Sequence, residues 1–488
     1  MSDLKPTIMK FGGTSVADAP AFARVAHIVR ARQAAMPVVV VSAMSEVTNA
    51  LLRSVELSAA KHVEKAVSVL EDQLARHLEV ARTLLAANEA KRYGSIIEKA
   101  RGSVRQLLLE VAAAAPLPAL KDQIVSLGEQ LSSELLALVL RGFDVPAVHV
   151  DSRRLLVSDD AHGCANPLMA ETTSCAQQLV PLIEKGQIPV LGGFIAATLE
   201  GATTTLGRGG SDYSAAILGA ALNAREIQIW TDVSGVLTAD PRIVPEARTV
   251  PVLSYQEAAE LAYFGAKVLH PKTIQPAVER GIRLRVCNSL APDELGTSIV
   301  AEYEAAPQTV KAIAHKNGIT TLQVTSARML GAHGFLRALF EVCDRHRTVV
   351  DVVTTSEVSV SLSIDDATAL PELIPELRQL GTVEVEGRRT IICVIGEGLR
   401  HTPGIAAHVF SAVSNINVSM ISFGASSVNL TFMVEEEQSI EAIRRLHRVC
   451  FENSANDRGT SLRQLDLTTE DTEVLAEDSE EKQQEVPA

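Results

Sequence analysis

The stretch Thr203–Tyr213, reading TTTLGRGGSDY, sets the tightest limit on what this chain can fold into. It follows the apolar run Ile188–Ile195 and leads into an alanine-rich helix expected from about Ser211. Gly207, Gly209 and Gly210 flank Arg208, and glycine accepts positive φ and lets a ligand approach with no Cβ in between. A helix N-terminus presents unpaired N–H groups and a partial positive charge, which suits phosphate or carboxylate. Arg208 adds a fork able to hold a carboxylate with two bonds. Asp212 puts a negative charge beside these groups, where a loop serving anions alone would gain nothing from it. One positive and one negative group in a glycine loop point to a zwitterionic or metal-bridged ligand. Taken alone, the loop fits an ordinary strand–loop–helix connection equally well.

The surrounding chain gives the loop its setting. Thr7–Phe11 reads as a short strand that ends at Gly12, Gly13, Thr14 and Ser15, with a helix following to about Arg32. Pro37–Ser42 is a β-branched run too short for a helix and reads as a strand buried on both faces. Glu46 to about Leu140 is mostly helical, with Gly94 and Pro116–Pro118 as breaks. Val145–Val150, Ile188–Ile195, Glu226–Thr231 and Ile282–Val286 are further strands, with helices between them. This alternation predicts an α/β fold, a mainly parallel sheet covered by helices on both sides. Ligands of such sheets bind beyond the carboxyl ends of the strands. Lys10–Ser15, Ser42–Thr48, the 203–213 loop and Thr231–Asp232 would gather there. Ser254 and Glu257 form a capping box for a helix expected to end around Gly265–Lys267, and Pro271 opens another that Gly281 closes.

Composition narrows the classes. At 488 residues, with 47% hydrophobic and 21% charged residues, the chain has material for two or three domains with proper cores. The formal net charge is −14, and Asp466–Ala488 alone holds nine acids against one lysine, so residues 456–488 read as an acidic, disordered, solvating tail. A mildly acidic body with 3% aromatics argues against nucleic acid as a partner. Six scattered cysteines without a CxxC pair read as reduced thiols of a cytosolic protein. No run approaches the ~20 apolar residues of a membrane span, so the expectation is a cytoplasmic protein with no membrane partner.

After about residue 305 the pattern changes. Segments 334–362 and 404–432 are related by an ungapped shift of 70 that matches Gly334 with Gly404, Phe340 with Phe410, Ser356 with Ser426 and Val358 with Val428. Each copy reads strand, glycine turn, amphipathic helix, strand, turn, strand: a small duplicated α+β module, with too few copies for a solenoid.

KFGGTSV at the N-terminus, TTTLGRGGSDY in the middle, WTD at 230–232 and FGAKVLHP at 264–271 stand in one chain in that order. The set closely resembles the aspartate kinases of the amino-acid kinase family, over nearly the whole chain to about Phe451. The chain has no GxxxxGK[ST] loop and no HRD or DFG set, which excludes the P-loop and protein-kinase classes. The resemblance implies an αβα sandwich over residues 1–305 and two ACT-like, ferredoxin-like α+β domains over 306–385 and 386–455. It implies transfer of the γ-phosphoryl group of ATP, used with Mg2+, to the β-carboxylate of L-aspartate. That carboxylate is itself the nucleophile, so the protein has to supply placement and charge stabilisation.

By the same resemblance Lys10 and Asp212 are catalytic: Lys10 neutralises charge on the transferring group, and Asp212 orients Lys10 or helps hold Mg2+. Gly12 and Gly13 would give backbone donors to the phosphates, while Thr14 and Ser15 either cap the next helix or touch ligand. Thr48, Glu129, Arg208 and Ser211 would bind aspartate, with Glu129 on its ammonium and Arg208 on a carboxylate. Thr231, Asp232, Arg242 and Lys267 would bind the nucleotide, Arg242 and Lys267 reaching inward to phosphate. Leu237 stands where the family often has tyrosine. The ACT pair implies a homo-oligomer, dimer or tetramer, feedback-inhibited by L-lysine. The lysine site would run along the turn Met329–Leu336, with Met329, Ala332, Phe335 and Leu336, and the facing segment Val349, Val350 and Asp351, with Ser356 and Glu357 at the next turn. Asp351 would hold the lysine ammonium. Two rivals stay open at this point: a kinase of the same fold for glutamate, N-acetylglutamate, carbamate or UMP, and a non-catalytic amino-acid sensor.

Overall fold

The computed structural model describes residues 5–113, 118–265, 271–301, 309–331 and 333–452. The expected strands form within a few residues of their sequence limits. They are β1 (Thr7–Phe11), β2 (Pro37–Val41), β3 (Ala147–His149), β4 (Ile188–Gly192), a hairpin of β5 (Ile195–Ala197) with β6 (Thr203–Thr205), β7 (Glu226–Thr231), β8 (Val252–Ser254), β9 (Arg283–Asn288) and β10 (Thr297–Val300). Apart from the hairpin they make one sheet in the order β3-β4-β2-β1-β7-β9-β10-β8. The first six strands run parallel, and β10 turns antiparallel to β9. β1 lies in the middle, pairing Lys10 with Val40 on one side and Ile229 on the other. Every residue of β1, β2 and β4 is buried, as apolar runs without alternation require.

Helices cover both faces. Ala19–Ala31, Val47–Ala59, Val63–Leu84, Ala87–Ala113 and Leu127–Gly142 share one core with Phe11, Val39 and Val41. Gly210–Ala221 and Pro271–Glu279 share the other with Ile8, Val40 and Ile229. Three local expectations are corrected. Gly94 lies inside the helix Ala87–Ala113, and the break falls at Leu85, whose backbone is extended. A long helix tolerates isolated glycines, here Gly94 and Gly102, when their neighbours pack well. The run Ile188–Ile195 is split at Phe194, held at φ 66°, so the chain turns from β4 into the hairpin. The helix Ala19–Ala31 is capped by Asp18, which accepts from Ala21 N–H at 2.9 Å, so Thr14 and Ser15 are not its caps. The Ser254–Glu257 capping box is present with both bonds made.

The repeated segments build a second sheet from β11 (Ala312–Thr325), β12 (Val353–Thr355), β13 (Ser359–Ile364), β14 (Thr382–Ile395), β15 (Met420–Phe423) and β16 (Asn429–Glu435). Its order is β12-β13-β11-β14-β16-β15 and every pair is antiparallel. The 70-residue shift is visible in hydrogen bonds. Gly334 and Gly404, at φ 85° and 79°, each precede a helix. Ser326 N–H donates to Val358 O at 2.8 Å, and Gly396 N–H to Val428 O at 2.9 Å. β11 and β14 pair along their whole length, with an irregularity beyond Lys316. β13 adds to β11 at 320–325 and β16 to β14 at 389–395, so each half of the sheet uses a piece of both long strands. A cut at 385/386 falls inside β14. The acidic tail lies outside the described residues.

His77 is buried with Nδ1 2.8 Å from the Gln73 carbonyl, and its Nε2 has no partner. Burial pushes its pKa down to about 4, against the Gln73 carbonyl, which favours the proton. The folded state therefore keeps it neutral where the unfolded chain takes up a proton. The stability it protects is complete above pH 6.5 and is lost as pH falls towards 4, by roughly 3 kcal/mol. We expect His77→Gln to narrow the difference in urea midpoint between pH 7 and pH 4.5. Equal pH dependence in both proteins would overturn this account.

Candidate active site

Two cavities open at the carboxyl edge of the parallel sheet. The larger, about 540 Å³, is bounded by Lys10, Gly13, Thr48, Glu129, Phe194 and the loop Gly207–Asp212. It therefore unites the residues expected for catalysis and aspartate binding. The smaller, about 390 Å³, is bounded by Thr231, Asp232, Leu237, Asp240, Arg242 and three residues of β11. Because β1 pairs with β7, Lys10 and Thr231 stand on neighbouring strands at the same edge.

In the larger cavity Lys10 Nζ lies 2.7 Å from Asp212 Oδ1, both side chains mostly buried. Asp212 is in the first turn of the helix Gly210–Ala221, which Gly209 opens from φ 72°. Ser211 is 9% exposed and meets the sheet closely: a Cβ on Gly193 would come 2.6 Å from Ser211 Cβ. Arg208 is exposed at the mouth and makes no ion pair among the described residues. Glu129, on the first turn of Leu127–Gly142, is 3% exposed, and its Oε2 has no hydrogen-bond partner. Burial pushes its pKa up to about 8, although the N–H groups of Ala43 and of Glu129 itself favour the carboxylate. A buried carboxyl with a free oxygen facing a cavity suits a cationic ligand group. Asp122, which sequence reasoning missed, is also buried here. It accepts from His162 Nδ1 (2.9 Å), Gly163 N–H (3.0 Å), Thr205 N–H (3.2 Å) and Thr205 Oγ1 (2.6 Å), tying β6 to the distant loop at His162–Gly163. Its spacing from these partners in sequence left no local signal.

Several expected contacts are met differently. Gly12 commits its N–H to the Trp230 carbonyl at 3.2 Å, locking β1 to β7, so only Gly13 of the glycine pair lines the cavity. Ser15 Oγ donates to Ser289 Oγ at 3.0 Å and Thr14 is exposed, away from the cavity. Thr231 Oγ1 donates to Asp232 Oδ1 at 3.1 Å. Arg242 borders the smaller cavity but is gripped by Asp240, with Nη2 2.6 Å from Oδ2, and its side chain is 87% exposed. Two residues apart in a turn, a guanidinium finds the nearer carboxylate first. Lys267 lies outside the described residues.

In the repeat sheet Met329, Phe335 and Val350 pack beside the first-half core, whereas Leu336 and Val349 are exposed. Ser356 Oγ lies 2.7 Å from Ser359 Oγ, and Glu357 is exposed. Ala332 lies outside the described residues. Asp351 is already engaged by this chain's own groups: Lys316 Nζ sits 3.2 Å from its Oδ2, and the Tyr263 hydroxyl donates to Oδ1. Lys316 also pairs with Asp365 at 2.8 Å. Burial works against its charge, but Asp365 and Asp351 together hold the ammonium above its ordinary pKa.

A mainly parallel sheet with a Lys–Asp pair, a glycine loop at a helix start and a buried carboxylate at its carboxyl edge is the arrangement of an α/β enzyme whose site carries groups of both charges. Residues 5–288 match the amino acid kinase family and residues 392–449 the ACT domain. The chain is 39% identical over 458 residues to lysine-sensitive aspartokinase 3 of Escherichia coli, covering 91% of this chain and 99% of that protein. The fold matches E. coli aspartokinase III in complex with aspartate and ADP, with a TM-score of 0.77 and 37% identity, over 92% of this chain and 100% of that one. It also matches the complex of that enzyme with lysine and aspartate, with a TM-score of 0.78 and 37% identity, over 91% of this chain and 99% of that one. The chain belongs to the amino acid kinase family and, within it, to the aspartokinases. No helix among the described residues is long and apolar enough to cross a membrane.

The pKa of Glu129 carries a pH prediction. Its carboxylate is the form that binds an ammonium, so kcat/KM for the amino-acid substrate should fall about tenfold per pH unit below about 8. Glu129→Gln should raise that KM and remove this limb of the profile. A flat wild-type profile from pH 6.5 to 8.5 would sink the assignment.

Proposed function

We propose that this chain transfers the γ-phosphoryl group of ATP to the β-carboxylate of L-aspartate, giving 4-phospho-L-aspartate and ADP. It would act early in the biosynthesis of lysine, threonine and methionine. The observation that carries this reading is the opposition, in one cavity, of Glu129 with its unpartnered buried oxygen, Arg208 with no ion pair, and the Lys10–Asp212 pair. Glu129 takes the substrate ammonium and Arg208 a carboxylate, with Thr48 and Ser211 beside them. The β-carboxylate is thereby aimed at the nucleotide bound on the neighbouring strand. Its oxygen forms a bond to the γ-phosphorus as the bond to the β-phosphate bridging oxygen breaks, and no proton has to move. Lys10 neutralises charge on the transferring group, held in place by Asp212, while Gly13 lies at the phosphates and Thr231 and Asp232 at the nucleoside.

Among the described residues no three His, Cys, Asp or Glu side chains converge as a metal cage. Mg2+ carried on the phosphates of ATP fits such a site, where Asp212 would be a carboxylate available to hold it and the ion would neutralise phosphate charge. We divide the chain into a catalytic part to about residue 305, two regulatory repeats and an acidic tail, and assign it to the cytoplasm on its six scattered cysteines without a CxxC pair. Exposed Leu330, Leu336, Phe340, Val349 and Val358 on the first repeat support a homo-oligomer formed through that face.

We read L-lysine as the feedback inhibitor, on the strength of the lysine-sensitive relative and the lysine complex of the matched structure. At Asp351 the effector ammonium would displace the Lys316 ammonium already there. The contact with Tyr263, on the catalytic helix Tyr255–Tyr263, would change with it.

ATP-dependent acyl phosphate, trapped with hydroxylamine, should form with L-aspartate and not with L-glutamate, and L-lysine should suppress it. Lys10→Ala should lower kcat by about 10²–10³ with an unchanged circular dichroism spectrum; near-normal turnover would remove the role given to Lys10. Folded protein that binds lysine but turns over neither acid would favour a sensor. Lys316→Met should lower the lysine concentration for half-inhibition and Asp351→Ala should raise it. Unaltered inhibition in both variants would take the ammonium site away from Asp351.

A further inference from the structure

The smaller cavity has a wall that comes from the regulatory sheet. β11 pairs with β13 only from Thr320 onward, so residues 312–316 have β14 on one side and a free strand edge on the other. That edge is laid against the segment that follows β7: Ile313 N–H donates to the Thr238 carbonyl at 2.8 Å. Backbone groups two residues apart on a strand point the same way, so the N–H and carbonyl of His315 face the same side as those of Ile313. The His315 side chain borders the cavity together with Leu237, Asp240 and Arg242. It is only part-buried, and no described group is hydrogen-bonded to its ring. Burial holds the imidazole below its ordinary range, with Asp240 opposing and Arg242 adding to that shift. The ring is thus held towards its neutral form, flat and with no hydrogen-bonded partner among the described residues, in a cavity that the aliphatic Leu237 also lines.

We propose that His315 is a binding contact for the nucleotide base: its imidazole stacks on the purine, with Leu237 as an apolar neighbour in the same cavity. The phosphates then point to Lys10 and Gly13 at the neighbouring strand end. This rests on the nucleotide reading of the smaller cavity given above. A neutral ring suits a neutral base, and stacking is tolerant of which ring supplies the face. A residue of the regulatory repeat would therefore belong to the substrate site of the catalytic part.

The test uses the full-length protein, with ADP binding measured by calorimetry and acyl-phosphate turnover measured with ATP and aspartate varied separately. His315→Ala should weaken ADP binding and raise the ATP KM by about tenfold or more, leaving the aspartate KM within about twofold. His315→Phe should restore nucleotide affinity, because the ring face returns without the imidazole nitrogens. Unchanged ADP binding in His315→Ala overturns the proposal. So does a matched rise in both KM values with a lowered Tm, which makes His315 a packing residue. Wild-type protein that binds ADP but does not phosphorylate aspartate would sink the acceptor assignment while the His315 comparison still decides this contact. Wild-type protein that binds no ADP overturns both.

Discussion

The Lys10–Asp212 contact, 2.7 Å long at the edge of the parallel sheet, exists only because a helix lies unusually close to the strands beneath it. The helix Gly210–Ala221 presents glycine and alanine to the sheet. A Cβ on Gly219 would come 2.5 Å from Ile227 Cδ1, and one on Gly210 would come 2.6 Å from Phe194 Cδ2. Ile227 is fully buried and has no free room to give, while Phe194 is partly buried and borders the larger cavity. The stretch that suggests ligand chemistry in the sequence is therefore a packing device as well. Bulkier residues there would lift the helix start away from β1, and Asp212 would lose Lys10. A largely buried ion pair adds little net stability, because desolvation offsets the attraction. Under the proposed function its value lies in fixing a cation where phosphate charge would be met.

What was legible in the sequence had local causes. β1 and β2 are apolar runs too short to be anything but buried strands, and Lys10 is at a strand end because Gly12 follows. The 70-residue repeat was readable because its two copies reuse the same turn chemistry, down to the Ser326 and Gly396 bonds to Val358 and Val428. What was not legible depended on partners far along the chain. Gly12 gives up its N–H to Trp230, and Asp351 meets Lys316 and Tyr263, two groups no spacing rule could bring to it. Arg242 borders the smaller cavity, as expected, but its guanidinium is paired with Asp240, two residues away in the same turn. The repeat also hid its own architecture. A linear shift predicts two consecutive modules, whereas β11 and β14 are long enough to serve both halves of one sheet.

That sharing decides how the two sheets meet. The segment after β7 is anchored in both cores. Val236 and Val250 are buried with the catalytic sheet, while Ala239 and Val244 are buried with Ile313, Ile392 and Leu446 of the repeat sheet. Hydrogen bonds fasten the second attachment: Ile313 N–H to Thr238 O, the Thr238 hydroxyl with His447 Nε2 at 3.0 Å, and Arg444 Nε to Ile243 O at 3.0 Å. The wall of the smaller cavity cannot keep its shape if the sheets shift against each other.

Within β11 the alternation of side chains gives neighbouring residues opposite duties. His315 borders the smaller cavity, while Lys316, next to it, reaches across to Asp351 and lies over the Tyr263 ring at 5.2 Å. A strand moves as a unit, because its ladder bonds fix register and a slip exchanges faces. Whatever releases Lys316 from Asp351 therefore acts on the same short piece of backbone that carries His315. Close-packed interfaces respond to such a change by moving between discrete arrangements and not by stretching. The two proposed sites are one peptide bond apart along β11, so coupling between them would need no chain of intermediate side chains, only a change in where that strand edge rests.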